Sequence, residues 1–264
     1  MKVIPIVVAC CCSLLSQAQI ISKAPKAESN ADPCKTAMMK KRLAPAPSVI
    51  DTANVRAGFM DAIEFKLYRH PDLLPCAVRG VVLLSSYDAS YNHLLVDRIA
   101  RKLANDNFIV AIIKHRGQNG TDDFAGESAK VETDYHNVWD YVTKKYGGTI
   151  QKTILGGVSF SGFCVPQIIF HNSQGWAKGL KGIVLIASGT SAAIPVPVIN
   201  MVCKADEISN SFGNQAGFAL QNALNANNAT VAAKSTCQTD DACTGHTDHI
   251  SWINFFVDNI EKWL

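Results

Sequence analysis

Thr153-Ile154-Leu155-Gly156-Gly157-Val158-Ser159-Phe160-Ser161-Gly162 decides the fold of this chain. An apolar run ends in a Gly-x-Ser-x-Ser-Gly turn, and a helix-like segment, Phe163-Cys164-Val165-Pro166-Gln167-Ile168-Ile169-Phe170, follows at once. A serine at so sharp a strand-to-helix turn is pushed above the sheet, and the strained backbone there tolerates only small residues on either side. Gly157 and Ser161 are those small residues, two before and two after Ser159. The helix N-terminus that follows aims backbone N–H groups at the same spot, where an oxyanion would form. The spacing therefore marks Ser159 as a nucleophile. A plain glycine-rich turn is the rival reading that context has to decide.

Outward from this turn, apolar runs and helical patterns alternate. Ala62 to Arg69 shows period-2 alternation, as in a half-exposed strand. Gly80 to Ser86 is continuously apolar, as in a strand buried on both faces. Tyr91 to Asn105 has helical spacing, Phe108 to Lys114 reads as a second buried strand, and His115 to Glu127 as a polar loop. A helix is expected over about 130–146, then the strand Thr153 to Val158. Further strands are expected at Leu180 to Ser188 and Val196 to Lys204, a helix at Phe212 to Asn225, a weak strand at Thr230 to Ala233, and a closing helix at Ile250 to Leu264. Such alternation calls for one α/β domain with a mostly parallel central sheet and helices on both faces.

The ends and the composition narrow the class. Lys2, the apolar stretch Val3 to Leu15, and Ser16-Gln17-Ala18 fit a signal peptide cleaved after Ala18. The stretch is too short to span a bilayer. Val7-Val8-Ala9-Cys10 also resembles a lipoprotein processing site, although the apolar run before Cys10 is very short. The expected organisation is a signal peptide over 1–18, a linker or extended arm over 19–55, and the α/β domain over 56–264. The protein is then secreted or periplasmic. A net charge of +3 without a dense Lys/Arg stripe argues against a nucleic-acid partner. Six of the nine cysteines lie beyond the leader, an even number that suggests disulfides in an exported protein. Cys237 and Cys243 bracket a short polar loop and are the easiest pair to close, whereas Cys164 and Cys203 sit in apolar segments that suit buried thiols.

A serine nucleophile needs a base, and the base needs an orienting carboxylate. Asp206 directly follows the apolar run Val198 to Val202, at the strand end where open α/β sheets build their sites. His246 lies in the polar turn Thr244-Gly245-His246 before the last helix. Glu207 is the alternative acid and His249 the alternative base. Ser161 is a rival nucleophile, disfavoured by the small-x-Ser-x-small register. His115 and Arg116 read as loop structure, and His70, His93, His136 and His171 as surface or boundary residues. Trp139 and Trp252 read as core. The chain order Ser, Asp, His is the one that accompanies such an elbow.

These residues resemble the α/β-hydrolase superfamily from about residue 61 to the C-terminus. The resemblance rests on Gly157 to Gly162, Cys203 to Glu207, Gly245-His246, and the strand Val81 to Ser86 leading into Tyr87-Asp88. It implies that the N–H groups of Tyr87 and Phe160 form an oxyanion hole. The short link from Ser188 to Val198 leaves no room for an inserted lid, which is similar to the lidless esterase and dienelactone-hydrolase-like branch. Ser85-Ser86 stands where that family commonly has His-Gly, and Ser161 replaces its usual Gly. The resemblance implies a serine esterase acting on a small-molecule or polymeric ester, with no cofactor and no metal, and the leader adds that it is exported. A peptidase or amidase is a close variant, and a non-catalytic binding protein on the same scaffold is a reading from another class. The oligomeric state is not encoded in any of these features.

Overall fold

The apolar runs that begin at Gly80, Phe108, Thr153, Leu180 and Val196 each contribute an inner strand to one eight-stranded sheet. The computed structural model describes residues 49–56, 62–86, 93–116, 124–147, 149–171, 175–190, 194–208, 229–246 and 250–264. The expectations for the leader, Cys34, Tyr87, the helix at 212–225 and His249 lie outside them.

The strands are β1 (Val49–Arg56), β2 (Ala62–Arg69), β3 (Gly80–Ser85), β4 (Phe108–Lys114), β5 (Thr153–Val158), β6 (Gly182–Ile186), β7 (Val198–Cys203) and β8 (Thr236–Asp240). Their spatial order is β1-β2-β4-β3-β5-β6-β7-β8. β1 and β2 join antiparallel, and every pairing from β4 to β8 is parallel. The α-helices among the described residues are α1 (Leu94–Asn105), α2 (Phe124–Tyr146), α3 (Phe160–His171), α4 (Ala229–Lys234) and α5 (Ile253–Trp263).

Strand alternation divides the core between two faces, because successive side chains point to opposite sides of a sheet. Val82 pairs in register with Val110 and Ile154, and all three join α1 and α5 through Leu95, Ile99, Leu103, Phe256 and Ile260. One residue on, Leu83, Ala111 and Leu155 face the other way, onto α2 and α3 through Val131, Val138, Val165 and Ile168. Both faces of β3 to β7 are thus covered, which is why these strands read as unbroken apolar runs.

Three expectations change. The arm expected over 19–55 contributes the edge strand β1. Helix α2 starts at Phe124, inside the stretch read as a polar loop. Gly126 and Ser128 are weak helix formers, so propensity hides this turn. Tertiary contact overrides it, with the buried Ser128 hydroxyl donating to Cys164 Sγ at 3.6 Å. Thr230 to Ala233, expected as a weak strand, is helical within α4. The strand comes just after it, at Thr236–Asp240, where β8 forms the sheet edge beside β7. An edge strand exposes much of its surface, so β8 lacks an apolar signature and reads as polar loop.

That shift also overturns the expected Cys237–Cys243 disulfide. Extended β8 carries Cys237 about 10 Å from the strand end near which Cys243 lies, beyond the reach of a disulfide. The bridge present is Cys203–Cys243, so Cys203 is not the buried free thiol its apolar setting suggested. Cys164 and Cys237 are free. Burial pushes the Cys237 thiol up to about 11 and the Cys164 thiol up to about 12, so neither is an activated nucleophile. Cys76 is disulfide-bonded as well.

Candidate active site

The C-terminal ends of the parallel strands form one rim, and the sequence-selected residues collect there. Ser159 sits between the end of β5 and the first residue of α3, in the left-handed region at φ 51°. A non-glycine residue in that region is strained and is held only where surrounding structure determines it. Here the Ser159 N–H donates to the Ile186 carbonyl at 2.8 Å, tying the elbow to β6. The turn closes so tightly that a Cβ on Gly157 would lie 2.5 Å from the Ser161 carbonyl carbon. A Cβ on Gly162 would collide with the Ser188 side chain. Both glycines are therefore required by close approach rather than by backbone angle.

Ser161 fits for a positive reason. It is fully buried, its hydroxyl faces the carbonyls of Ser85 at 2.9 Å and Val158 at 3.0 Å, and its oxygen accepts the Val158 N–H at 3.0 Å. The Ser161 side chain, at the position where the resemblance leads one to expect glycine, pins the elbow to the end of β3. Ser85 continues the network. The Tyr135 hydroxyl donates to the Gly156 carbonyl at 2.5 Å, so its single proton is used. The Ser85 hydroxyl, 2.6 Å from the Tyr135 oxygen, is then the donor between them. Burial holds the Tyr135 phenol far above its ordinary value, keeping it a neutral donor.

Removal of the Ser161 hydroxyl leaves a buried N–H and buried carbonyls without this partner, so Ser161→Ala is expected to lose about 1–3 kcal/mol of stability. Denaturant unfolding measures that loss. The variant should still label at Ser159 with a fluorophosphonate, since Ser161 points its oxygen into the fold. Loss of labelling at unchanged stability would restore Ser161 as the rival nucleophile.

Asp206 follows β7, and His246 follows the loop beyond β8. His246 Nε2 is 3.0 Å from Ser159 Oγ, and His246 Nδ1 is 2.8 Å from Asp206 Oδ2. A carboxylate only accepts, so Nδ1 carries the proton and Nε2 is left to accept from the serine hydroxyl. Asp206 is fully buried and His246 nearly so. Glu207, the alternative acid, is exposed on the solvent side of the same loop. The structure thus brings together Ser159, His246 and Asp206. Phe160 opens α3 directly after Ser159, and Ser86 ends the segment that leads into position 87.

Two supports of the histidine loop escaped sequence reasoning. Asp240, at the end of β8, accepts the Trp252 indole N–H at 2.5 Å and the Ala242 N–H at 2.9 Å. The Trp252 bond is the main reason its carboxyl stays below the usual range. Trp252 is in the core as expected, but its polar edge holds the loop that carries His246. The Cys203–Cys243 bridge joins the same loop to the Asp206 loop. A signal for it existed: Cys203 precedes Asp206 by the same three positions as Cys243 precedes His246.

This strand order, with the elbow after the central strand β5, is the α/β-hydrolase fold. Its solved likenesses include lidless serine hydrolases and dienelactone-hydrolase-like enzymes. An α/β serine hydrolase without lid from Xanthomonas campestris is 18% identical, aligns over 84% of this chain and 97% of its own, and gives a TM-score of 0.57. A dienelactone hydrolase-like promiscuous phosphotriesterase from metagenomic libraries is 12% identical over 83% of this chain and 99% of its own, with a TM-score of 0.63. A cold-adapted esterase from an Arctic intertidal metagenomic library is 14% identical over 82% and 94%, with a TM-score of 0.58. No protein-family model matches the chain, and no curated protein matches its sequence. Among the described residues no helix is long and apolar enough to cross a membrane.

Proposed function

We propose that this protein is an exported serine hydrolase that cleaves carboxylic esters. The observation that carries the reading is the hydrogen-bonded line Ser159 Oγ–His246–Asp206 at a strained elbow. Ser159 Oγ attacks the ester carbonyl while His246 Nε2 takes its proton. Asp206 holds the Nδ1–H tautomer and stabilises the imidazolium that forms. The oxyanion faces the first N–H of α3, at Phe160, and the N–H of Tyr87, the donor assigned from sequence. His246 then passes its proton to the leaving alcohol, and water, activated in turn by His246, releases the acyl group. Side chains, backbone N–H groups and water carry every step, so the reading calls for no cofactor or metal.

Export is supported by the charged and apolar leader ending at Ala18, and by disulfides, which persist in oxidising compartments. The reading implies a mature chain free of residues 1–18, in the periplasm or medium. Fluorophosphonate labelling followed by peptide mapping tests the activity. Covalent modification of Ser159 supports an activated nucleophile. An unlabelled Ser159 in folded protein would turn the reading to a binding protein on a hydrolase scaffold.

The substrate range follows from the connection between β6 and β7, residues 187–197, which is too short to hold a lid domain. An open site should hydrolyse dissolved short-chain p-nitrophenyl esters without a lipid interface. Turnover plotted against the concentration of a longer ester should pass through its micelle threshold without a jump. A steep rise there would contradict the open site.

A further inference from the structure

Inner strand β7 carries one residue that its surroundings do not call for. Val198, Ile199, Met201, Val202 and Cys203 are apolar and buried, and Asn200 stands fully buried among them. An amide in such a place costs free energy unless its polar atoms are bonded. A carbonyl only accepts, so Nδ2 is the atom that faces the Ser188 carbonyl, donating to it at 3.0 Å. Asn200 Oδ1 has no hydrogen-bond partner among the described residues, and neither has the buried Ser188 hydroxyl. A half-satisfied amide is a poor choice for stability alone.

The strand register shows what the amide serves. Asn200 pairs with Leu185 on β6, and Leu185 with Gly157 on β5, so the three lie in one row across the sheet. That row faces α3, since Leu185 packs with Val165 and Ile168. Above it the chain leaves β6 by an unusual step. Ala187 is left-handed at φ 50°, as Ser159 is at φ 51°. The two are joined through one hydrogen bond. Ser159 N–H donates to the Ile186 carbonyl, which shares a planar peptide unit with the Ala187 N–H. The turn at Ala187 then lays the Ser188 side chain against Gly162, where a Cβ would collide with it. The elbow thus rests at two points on residues 186–188, and Asn200 holds the far end of that turn.

We propose that Asn200 is a positioning residue for Ser159, an inference that rests on the hydrolase reading. An alanine leaves the left-handed region unless its surroundings hold it there. The Asn200 bond to the next residue supplies that hold. Without it Ala187 relaxes, the Ile186 carbonyl turns away from the Ser159 N–H, and Ser188 withdraws from Gly162. Ser159 Oγ then drifts from His246 Nε2. Asn200 touches neither substrate nor reacting atoms. It acts through the turn under the nucleophile.

The test uses Asn200→Leu, close in volume and without a donor, alone and combined with Ala187→Gly. Glycine takes a positive φ freely, so the turn can form without the amide. The readouts are steady-state hydrolysis of p-nitrophenyl acetate across pH, the rate of fluorophosphonate labelling at Ser159, and melting temperature. In Asn200→Leu, kcat is expected to fall roughly tenfold to a hundredfold with little change in KM, the scale of a misplacement of about 1 Å. Labelling should slow by the same factor. Melting temperature should barely move, because the orphaned Oδ1 leaves together with the donor. The pH midpoint of kcat/KM, set by His246, should stay in place. Adding Ala187→Gly should recover part of kcat. Wild-type kcat and labelling rate in Asn200→Leu would overturn this proposal alone. So would a loss that moves the pH midpoint, which places the effect on Asp206 and His246. A loss that follows the melting temperature and is not recovered by Ala187→Gly would overturn it too, since it marks an amide that only fills the strand. If Asn200→Leu does not fold, Asn200→Ser, too short to reach the Ser188 carbonyl, carries the same readouts. Failure of the wild-type protein to label at Ser159 would overturn the hydrolase reading itself.

Discussion

Ser159→Ala is expected to abolish both ester turnover and fluorophosphonate labelling while the protein stays folded. Asp206→Asn and His246→Ala should come close to the same floor. The geometry explains why three different changes converge. The serine hydroxyl is a weak nucleophile unless His246 Nε2, at 3.0 Å, accepts its proton. That nitrogen is free to accept only while Nδ1 keeps its proton on the Asp206 carboxylate at 2.8 Å. In Asp206→Asn the amide N–H faces Nδ1 and drives the imidazole proton to Nε2, so the base is filled although the shape is unchanged. Each single change should cost about three to five orders of magnitude in kcat, and the double and triple variants little more. Stopped-flow or steady-state hydrolysis of a p-nitrophenyl ester reads the loss, and circular dichroism checks the fold. Losses that multiply from one substitution to the next would show that the three side chains do not act as a unit. Near-wild-type turnover in Ser159→Ala would remove the nucleophile assignment.

Much of this architecture is legible in the chain because its inner strands are buried on both faces. Leu83 and Val82 each have an apolar side to reach, so β3 must be apolar at every position. The elbow is legible for a harder reason. Gly157 and Gly162 are the residues that such a turn permits sterically, and their spacing around Ser159 survives without any relative to compare. The edge was not legible. β8 needs apolar side chains on only part of its surface, and Thr236-Cys237-Gln238-Thr239-Asp240 looks like a loop until β7 is beside it. Its misreading carried the disulfide with it, because a cysteine pair is judged by local chain distance when the strand is unknown. Ser161 shows a different limit. A residue departing from the familiar glycine is visible in sequence, but its bonds to Ser85 and Val158 are long-range or conformational and leave no local pattern. His115 is hidden in the same way, since the Ser86 carbonyl it bonds lies 29 positions back along the chain.

The corrected disulfide makes a stronger prediction than the expected one did. Cys203 and Cys243 are separated by 40 positions, and each lies three residues before a member of the Ser-His-Asp line. The bridge therefore ties the Asp206 loop directly to the His246 loop. Closing a loop of that length restricts the unfolded chain by about 4 kcal/mol in the entropy model, more than a short Cys237–Cys243 loop would. Reduction, or the double substitution Cys203→Ala with Cys243→Ala, is expected to lower the melting temperature by roughly 10 °C for a chain of this size. Activity should suffer sooner than the fold. The Asp240 bonds to Trp252 and Ala242 still hold one end of the histidine loop, so the chain remains folded at ambient temperature. The spacing of Asp206 and His246 is then free to drift, and a shift of about 1 Å in a reacting group costs about a hundredfold in rate. Turnover at 25 °C should thus fall about a hundredfold on reduction while circular dichroism stays unchanged, and should return on reoxidation. Non-reducing peptide mapping comes first, and it should find the peptides bearing Cys203 and Cys243 joined. If those cysteines alkylate as free thiols in the non-reduced protein, or if the double variant keeps full turnover, the bridge does not position Asp206 and His246.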